Sequence, residues 1–255
     1  MFLVVNKNKI ISILVLMVAV VSVVTAIPSG DLQANANVDK LLPIYNVDMQ
    51  DKKIALTINC AWENTDIDKI VDTLKKYNAK ATFFVIGDNL TEEKISYMKR
   101  AIEEGHIIGL HTYSHDYNKI YSSVTDFLSD YDKLRQVLLE TLNYSPTIFR
   151  FPGGSYCSYG TCIREALISE MTRRGYTYYD WNVSAEDSVG TVTAHSIHKN
   201  IFPKVYEYSS PVILMHDSAS NRLTAELLPD IIEELQANGY SFDTLELREP
   251  LHFGE

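Results

Sequence analysis

The chain has no excess of positive charge. Against 33 Asp and Glu it carries 23 Lys and Arg, a formal net charge of −10 at pH 7. Binding to nucleic acid phosphates needs the opposite balance, so nucleic acid is excluded as a partner. There is also no glycine-rich P-loop and no basic cradle for phosphate, which argues against a phosphohydrolase. No internal repeat and no low-complexity segment breaks the chain. Cysteine is scarce, with Cys60, Cys157 and Cys162 as the full set of three. Cys157 and Cys162 flank Ser-Tyr-Gly-Thr and either close a small disulfide loop or stay as free thiols. Cys60 is then the odd thiol, and metal ligation is one use for it.

What is present starts with a targeting segment. Lys7 and Lys9 precede an apolar run from Ile10 to Ile27 that only Ser12, Ser22 and Thr25 interrupt. Positive charge followed by such a run marks a secretory signal or a membrane anchor. Val24-Thr25-Ala26 suits cleavage after Ala26, whereas residues 10–27 are also about long enough for a minimal membrane span. Both alternatives place the rest of the chain outside the cytoplasm, secreted or membrane-anchored, in a compartment that permits disulfides. Residues 1–27 are thus signal or anchor, 28–49 a mixed polar linker, and 50–250 a single domain.

In that domain, short apolar runs alternate with amphipathic stretches. Ile54–Ile58, Ala81–Ile86, Ile107–Leu110, Ile148–Phe151, Tyr176–Val183, Val212–Met215 and Tyr240–Phe242 have strand character. Helical spacing covers 66–77, 91–104, 125–142, 164–174 and 223–237, with Thr91 as an N-cap before Glu92 and Glu93. About seven strands alternating with helices imply a parallel α/β sheet, open or closed into a barrel.

Polar residues gather just beyond the expected strand ends. Asn59, Cys60 and Glu63 follow the first, His111 and His115 the third, and Arg150 with Pro152-Gly153-Gly154 the fourth. Glu186 and Asp187 follow the fifth and His216 the sixth. In a parallel α/β fold these ends meet on one face, where function collects. If the third strand ends at Leu110, His111 and His115 sit in a loop or first helical turn, and at i, i+4 spacing two imidazoles can share one metal ion. His, Cys, Arg and Asp brought together in this way suit metal-assisted hydrolysis by an activated water.

With these residues in order, the chain resembles the polysaccharide deacetylases that share the NodB homology domain. The resemblance covers about residues 50–245. A His-Ser/Thr-x-x-His motif matches His111-Thr112-Tyr113-Ser114-His115, and Arg-x-Pro-x-Gly matches Arg150-Phe151-Pro152-Gly153-Gly154. A motif that ends in an acidic residue is similar to Trp181–Asp187, with Ser188 in place of its usual closing Trp. Leu-x-His matches Leu214-Met215-His216, and Lys80–Val85 resembles the family's second strand. The first motif departs. Where the family usually has Thr-Phe-Asp-Asp-Gly, this chain has Thr57-Ile58-Asn59-Cys60-Ala61.

The resemblance implies a distorted (β/α)7-type barrel and a metal-dependent hydrolase that removes N-acetyl groups from a cell-wall or related polysaccharide. It implies metal ligation by His111 and His115, while Cys60, standing where the family has its metal carboxylate, is either a thiolate ligand that favours Zn or a small buried hydrophobe. It further implies that His216 protonates the leaving amine, that Asp187 holds its imidazole charged, and that Gly153 N–H binds the oxyanion. Arg150 would orient the group at position 59. Asn59 stands where the base belongs, and an amide does not accept a proton at neutral pH. Glu63 or Asp66 would have to fill that role, or the chain is a catalytically degenerate module that binds glycan or acts structurally on the same scaffold.

Overall fold

Lys53–Ala61 forms β1, and the sheet is built outward from it. The computed structural model describes residues 52–253 apart from 62–65, 89, 189 and 218–221, and of residues 60 and 61 the backbone alone. The expected N-terminal segment and linker, and Glu63, lie outside the described residues. Ile54, Leu56 and Ile58 are fully buried, as are Ala55 and Thr57 on the opposite face of the strand. A strand covered on both faces has no need of polar alternation, which is why this run is apolar throughout.

Parallel neighbours flank β1: β2 (Ala81–Ile86) on one side and β7 (Val212–His216) on the other. Beyond them lie β3 (Ile107–Thr112), β4 (Ile148–Phe149), β5 (Thr177–Tyr178) and β6 (Val183–Ser184), in the order β5-β4-β3-β2-β1-β7-β6. A short β8 (Ser241–Phe242) pairs with the start of β1. Helices α1 (Ile67–Lys76), α2 (Glu92–Glu103), α3 (Tyr117–Ile120), α4 (Val124–Leu142), α5 (Arg164–Arg173), α6 (Ala194–Val205) and α7 (Leu223–Ala237) form the connections. Thr91 caps α2 by accepting from Lys94 N–H, and α1 presents Ile67, Ile70, Val71 and Leu74 to the core. The result is the parallel, helix-covered sheet that the alternation implies, curved into the half-barrel of the distorted (β/α)7 kind that the resemblance implies. Leu56 lies at its centre, and truncation to alanine there would cost about 2–5 kcal/mol.

One expected strand is really two. Tyr176–Val183 splits into β5 and β6, which occupy opposite edges of the sheet. Residues 179–182 cross between those edges, where their carbonyls have no continuous ladder to join. The buried guanidinium of Arg150 takes up two of them, with Nε donating to Tyr179 O at 2.8 Å and Nη2 to Asp180 O at 2.9 Å. An aromatic run with high strand propensity therefore hides a crossover that only tertiary structure defines.

Candidate active site

The carboxyl ends of β1, β3, β4 and β7 form the site. Two bulges mark it. The β1–β2 register passes from Asn59↔Phe84 to Ala61↔Val85, skipping position 60, and the β2–β3 register passes from Val85↔Leu110 to Ile86↔Thr112, skipping His111. A bulge re-aims a side chain at the end of a strand. His111 is thus inside β3 and not beyond it, and His115 lies in a turn with φ of 52°. Of the two expected settings, loop or first helical turn, the loop holds for His115, because α3 begins only at Tyr117. A tight turn brings the rings together, with centroids 5.3 Å apart.

Each imidazole is held in a defined form. His111 is buried, and its Nδ1 lies 2.9 Å from Arg150 O. A carbonyl only accepts, so Nδ1 carries the proton and Nε2 keeps its lone pair. Burial pushes the His111 pKa well below its ordinary value, and the nearby His115 adds to the effect. His115 is lowered as well, by burial first and then by His216. Two neutral imidazoles suit a divalent metal. Among the described residues no three His, Cys, Asp or Glu side chains converge on one point. The imidazoles come as a pair, and the third ligand expected at Cys60 falls outside the described side chains.

Asn59 and His216 are neighbours in the β1–β7 register. Asn59 is buried, and its Oδ1 accepts from Arg150 Nη1 at 3.0 Å. The same Nη1 donates to Thr57 Oγ1 at 2.7 Å, and the guanidinium lies 4.3 Å above the Phe84 ring. Each of these acceptors is a neutral oxygen. Burial lowers the Arg150 pKa to about 9, with the nearby Asp180 charge partly opposing the shift. His216 has a different environment. Its Nδ1 is 2.9 Å from Asp187 Oδ1, while its backbone N–H and the Thr224 hydroxyl donate to Oδ2 at 2.9 and 2.7 Å. Asp187 is fully buried. The carboxylate accepts from Nδ1–H and so fixes the orientation of the ring.

Gly153 has φ of 77°, and a Cβ there would sit 2.9 Å from Cys157 Sγ, so both backbone and space require glycine. It is exposed, and among the described residues no hydrogen bond takes up its N–H. Such a free donor at the rim of the site suits a developing oxyanion. The Asp66 carboxylate is engaged by Lys69 at 2.6 Å and by Arg222 at 3.2 Å, which ties it to the starts of α1 and α7. Glu186 is exposed. Cys157 and Cys162 are free thiols, so the disulfide alternative is not the one adopted.

A family model described as polysaccharide deacetylase matches residues 46–178. The chain belongs to the polysaccharide deacetylase family. A peptidoglycan-N-acetylglucosamine deacetylase of Bacillus cereus is 32% identical over 76% of this chain and 66% of its own length. A peptidoglycan-N-acetylmuramic acid deacetylase of Bacillus subtilis, PdaA, is 26% identical over 86% of this chain and 80% of its own. Among solved structures, the catalytic domain of a peptidoglycan N-acetylglucosamine deacetylase from Eubacterium rectale superposes with a TM-score of 0.73 at 30% identity, covering 79% of this chain and 92% of that one.

Within the family fold, two buried carboxylates support the site without appearing among the strand-end residues. Asp130, on α4, accepts from the Thr112 hydroxyl, from Tyr113 N–H at 2.5 Å and from Ser114 N–H at 3.1 Å, which folds the segment between the two histidines. Its signal in the sequence is an acid on an apolar stripe, between Phe127 and Tyr131, Leu134 and Leu138. Asp180 accepts from Ser155 N–H at 2.9 Å, Ser155 Oγ at 2.6 Å and Phe253 N–H at 2.9 Å, anchoring the turn that carries Gly153. Tyr131 donates to Arg150 O at 2.8 Å, sharing that carbonyl with His111.

Proposed function

We propose that this polysaccharide deacetylase family member hydrolyses the N-acetyl amide of a cell-wall glycan of the peptidoglycan type, outside the cytoplasm. The observation that carries the reading is a division of labour among histidines at one end of the sheet. His111 and His115 are kept neutral, whereas His216 is tied to a buried carboxylate. The first pair suits a metal and the third a proton donor. His111 and His115 would hold the metal, Zn with Cys60 as third ligand, and a bound divalent ion would polarise the amide carbonyl and lower the pKa of water.

The chain's own residues do the rest. Gly153 N–H donates to the carbonyl oxygen as negative charge develops on it. The C–N bond breaks as His216 Nε2 gives its proton to the departing amine, and Asp187 stabilises the imidazolium before that transfer. Arg150 fixes the side chain at position 59. The new C–O bond forms as water adds to the carbonyl carbon, and because Asn59 takes no proton the water's proton passes to bulk solvent, so the rate is expected to lie below that of an enzyme with a carboxylate there.

The test uses the full chain loaded with Zn, with acetate release measured from acetylated chitooligomers and from peptidoglycan. Release from either supports hydrolysis. With metal demonstrably bound and no release from any glycan, the hydrolytic reading is lost. Asn59 favours a second reading, a glycan-binding module that has lost turnover on the same scaffold. Asn59→Asp with Cys60→Asp separates the two. Activity gained from nothing indicates a degenerate enzyme, and a working native chain made worse indicates an alternative site in use.

A further inference from the structure

Tyr156 and Tyr159 are 57% and 56% exposed, the most exposed of the described tyrosines. Both lie on the connection between β4 and α5, directly after the turn that carries Gly153. Tyr159 continues an aromatic series that starts in the site. His115 meets Tyr117 edge to face with centroids 5.4 Å apart, and Tyr117 meets Tyr159 in the same manner, also at 5.4 Å. Tyr156 lies under the Arg164 guanidinium, 4.2 Å from its ring centroid.

The connection that presents these rings is tightly held. Cys157 N–H donates to Gly154 O, Gly160 N–H to Cys157 O and Ile163 N–H to Gly160 O, each at 3.1 Å. Tyr121 donates to Pro152 O at 2.8 Å and packs against Gly160, where a Cβ would come within 3.0 Å of its ring. Single exposed apolar residues are ordinary on a protein surface, and what sets these two rings apart is their place, on one ordered connection next to the turn that carries Gly153. Tyrosine gives a rigid, amphipathic contact surface at small conformational cost, and prior ordering of its backbone lowers that cost further.

We infer that Tyr156 and Tyr159 form a platform for an N-acetylhexosamine ring next to the one whose acetyl group reacts. This rests on the glycan reading above. A pyranose has one face of C–H groups that stacks on an aromatic ring, and its hydroxyls at the rim suit a phenol edge. A neutral glycan chain offers such a face on each sugar. The ring series fixes where the neighbouring sugar goes, because Tyr159 is joined through Tyr117 to His115.

The test is calorimetric titration of the Zn-loaded full chain with the β-1,4-linked N-acetylglucosamine tetramer, alongside acetate release from it. Tyr156→Ala with Tyr159→Ala should weaken tetramer binding about tenfold, the scale of two lost aromatic contacts. Tyr159→Phe keeps the ring and should stay within about twofold of wild type, since stacking and not the hydroxyl carries the contact. Tyr206→Ala, which removes another exposed tyrosine at the end of α6, should leave binding unchanged.

Equal affinity in the double alanine variant and wild type overturns the platform, and if wild type still releases acetate the hydrolytic reading survives it. Tight tetramer binding by wild type, lost in the double variant but without acetate release from any glycan, supports the platform and removes the hydrolytic reading alone. Loss confined to peptide-bearing glycan, with the tetramer unaffected, overturns the platform in favour of a peptide contact.

Discussion

Strand β3 has a buried histidine at each end, and the two differ in one hydrogen bond. His106, just before the strand, accepts from Ala81 N–H at its Nδ1, 3.2 Å away. Its proton is therefore on Nε2, which is buried and has no hydrogen-bond partner among the described residues. His111, near the other end, donates from Nδ1 to a carbonyl and keeps the Nε2 lone pair. Burial lowers the pKa of both. Burial and neutrality are thus shared, and the tautomer set by a backbone partner is what separates a packing histidine from one able to ligate. His106 packs edge-on against Phe83, with centroids 5.6 Å apart.

Substitution at the two ends should give opposite results. His111→Ala or His115→Ala is expected to abolish metal binding and with it turnover, leaving the domain folded. His106→Ala should keep the metal and lower the melting temperature. Metal content by mass spectrometry, measured beside thermal melts, decides this. Equal metal in all three variants with lowered melting points would make every one of these histidines a packing residue.

His216 sharpens the contrast, because its Nδ1 faces a carboxylate and not a backbone group. His216→Ala should reduce turnover by about 10²–10⁴-fold, the usual worth of a general acid. Metal content should not change. A His216→Ala variant that lost its metal would place this side chain among the ligands instead.

The pH dependence of stability tests the packing end. The folded-state pKa of His106 is lowered from 6.5 to about 4, chiefly by burial and then by Lys80. The unfolded chain then binds more protons than the folded one between those values, so stability rises with pH. His106 contributes fully above the unfolded pKa, and the contribution is lost as pH falls toward the folded one. From pH 7 to pH 5 the loss is roughly 2 kcal/mol. His111 and His115 titrate in the same direction, so His106→Gln isolates one residue. Denaturant unfolding at both pH values, without metal, should show a smaller pH dependence in the variant. An unchanged slope would mean that His106 does not titrate against folding.

Much of this was legible in the sequence because strong local patterns coincide with tertiary roles. β2 is a run of buried β-branched and aromatic residues, and its boundaries match the apolar run that marks it. The placement of His111, Arg150 and His216 near strand ends follows from the same alternation. Other features depend on contacts remote in sequence. The β5–β6 crossover has no Gly or Pro to mark it, and the carbonyls it leaves are met by Arg150 from just beyond β4. The bulges at positions 60 and 111 are defined against β2 and have no signature within their own strands. Helix α6 has Ile197, Ile201, Phe202 and Val205 on its buried face, but Pro203 in its last turn masks the period. Asp130 reads locally as an imperfection in an amphipathic helix, and its three donors come from a segment 16 to 18 residues earlier.

Asp130 gives the finest test of the two-ended strand, since it acts only at the end with the candidate ligands. Its carboxylate receives the Thr112 hydroxyl and the Tyr113 N–H on Oδ1, and Ser114 N–H lies within reach of both oxygens. Those bonds bend the chain so that His115, in a left-handed conformation, comes back to His111. Asp130→Asn keeps the size and an acceptor at Oδ1 for all three donors, but it removes the charge and puts an amide NH2 at the Oδ2 position, 3.2 Å from Ser114 N–H in the native chain. Loss of charge assistance on Oδ1 and the donor facing Ser114 should cost about 1–3 kcal/mol. His111 keeps its own anchor on Arg150 O, so the metal should still bind, but about 10–100-fold more weakly, as when an outer partner of a ligand is removed. Competition against a chelator of known Kd measures the change, with His106→Gln as the control from the far end. Metal affinity equal to wild type, in a variant shown to be less stable, would reduce Asp130 to a loop anchor with no hold on the ligand pair.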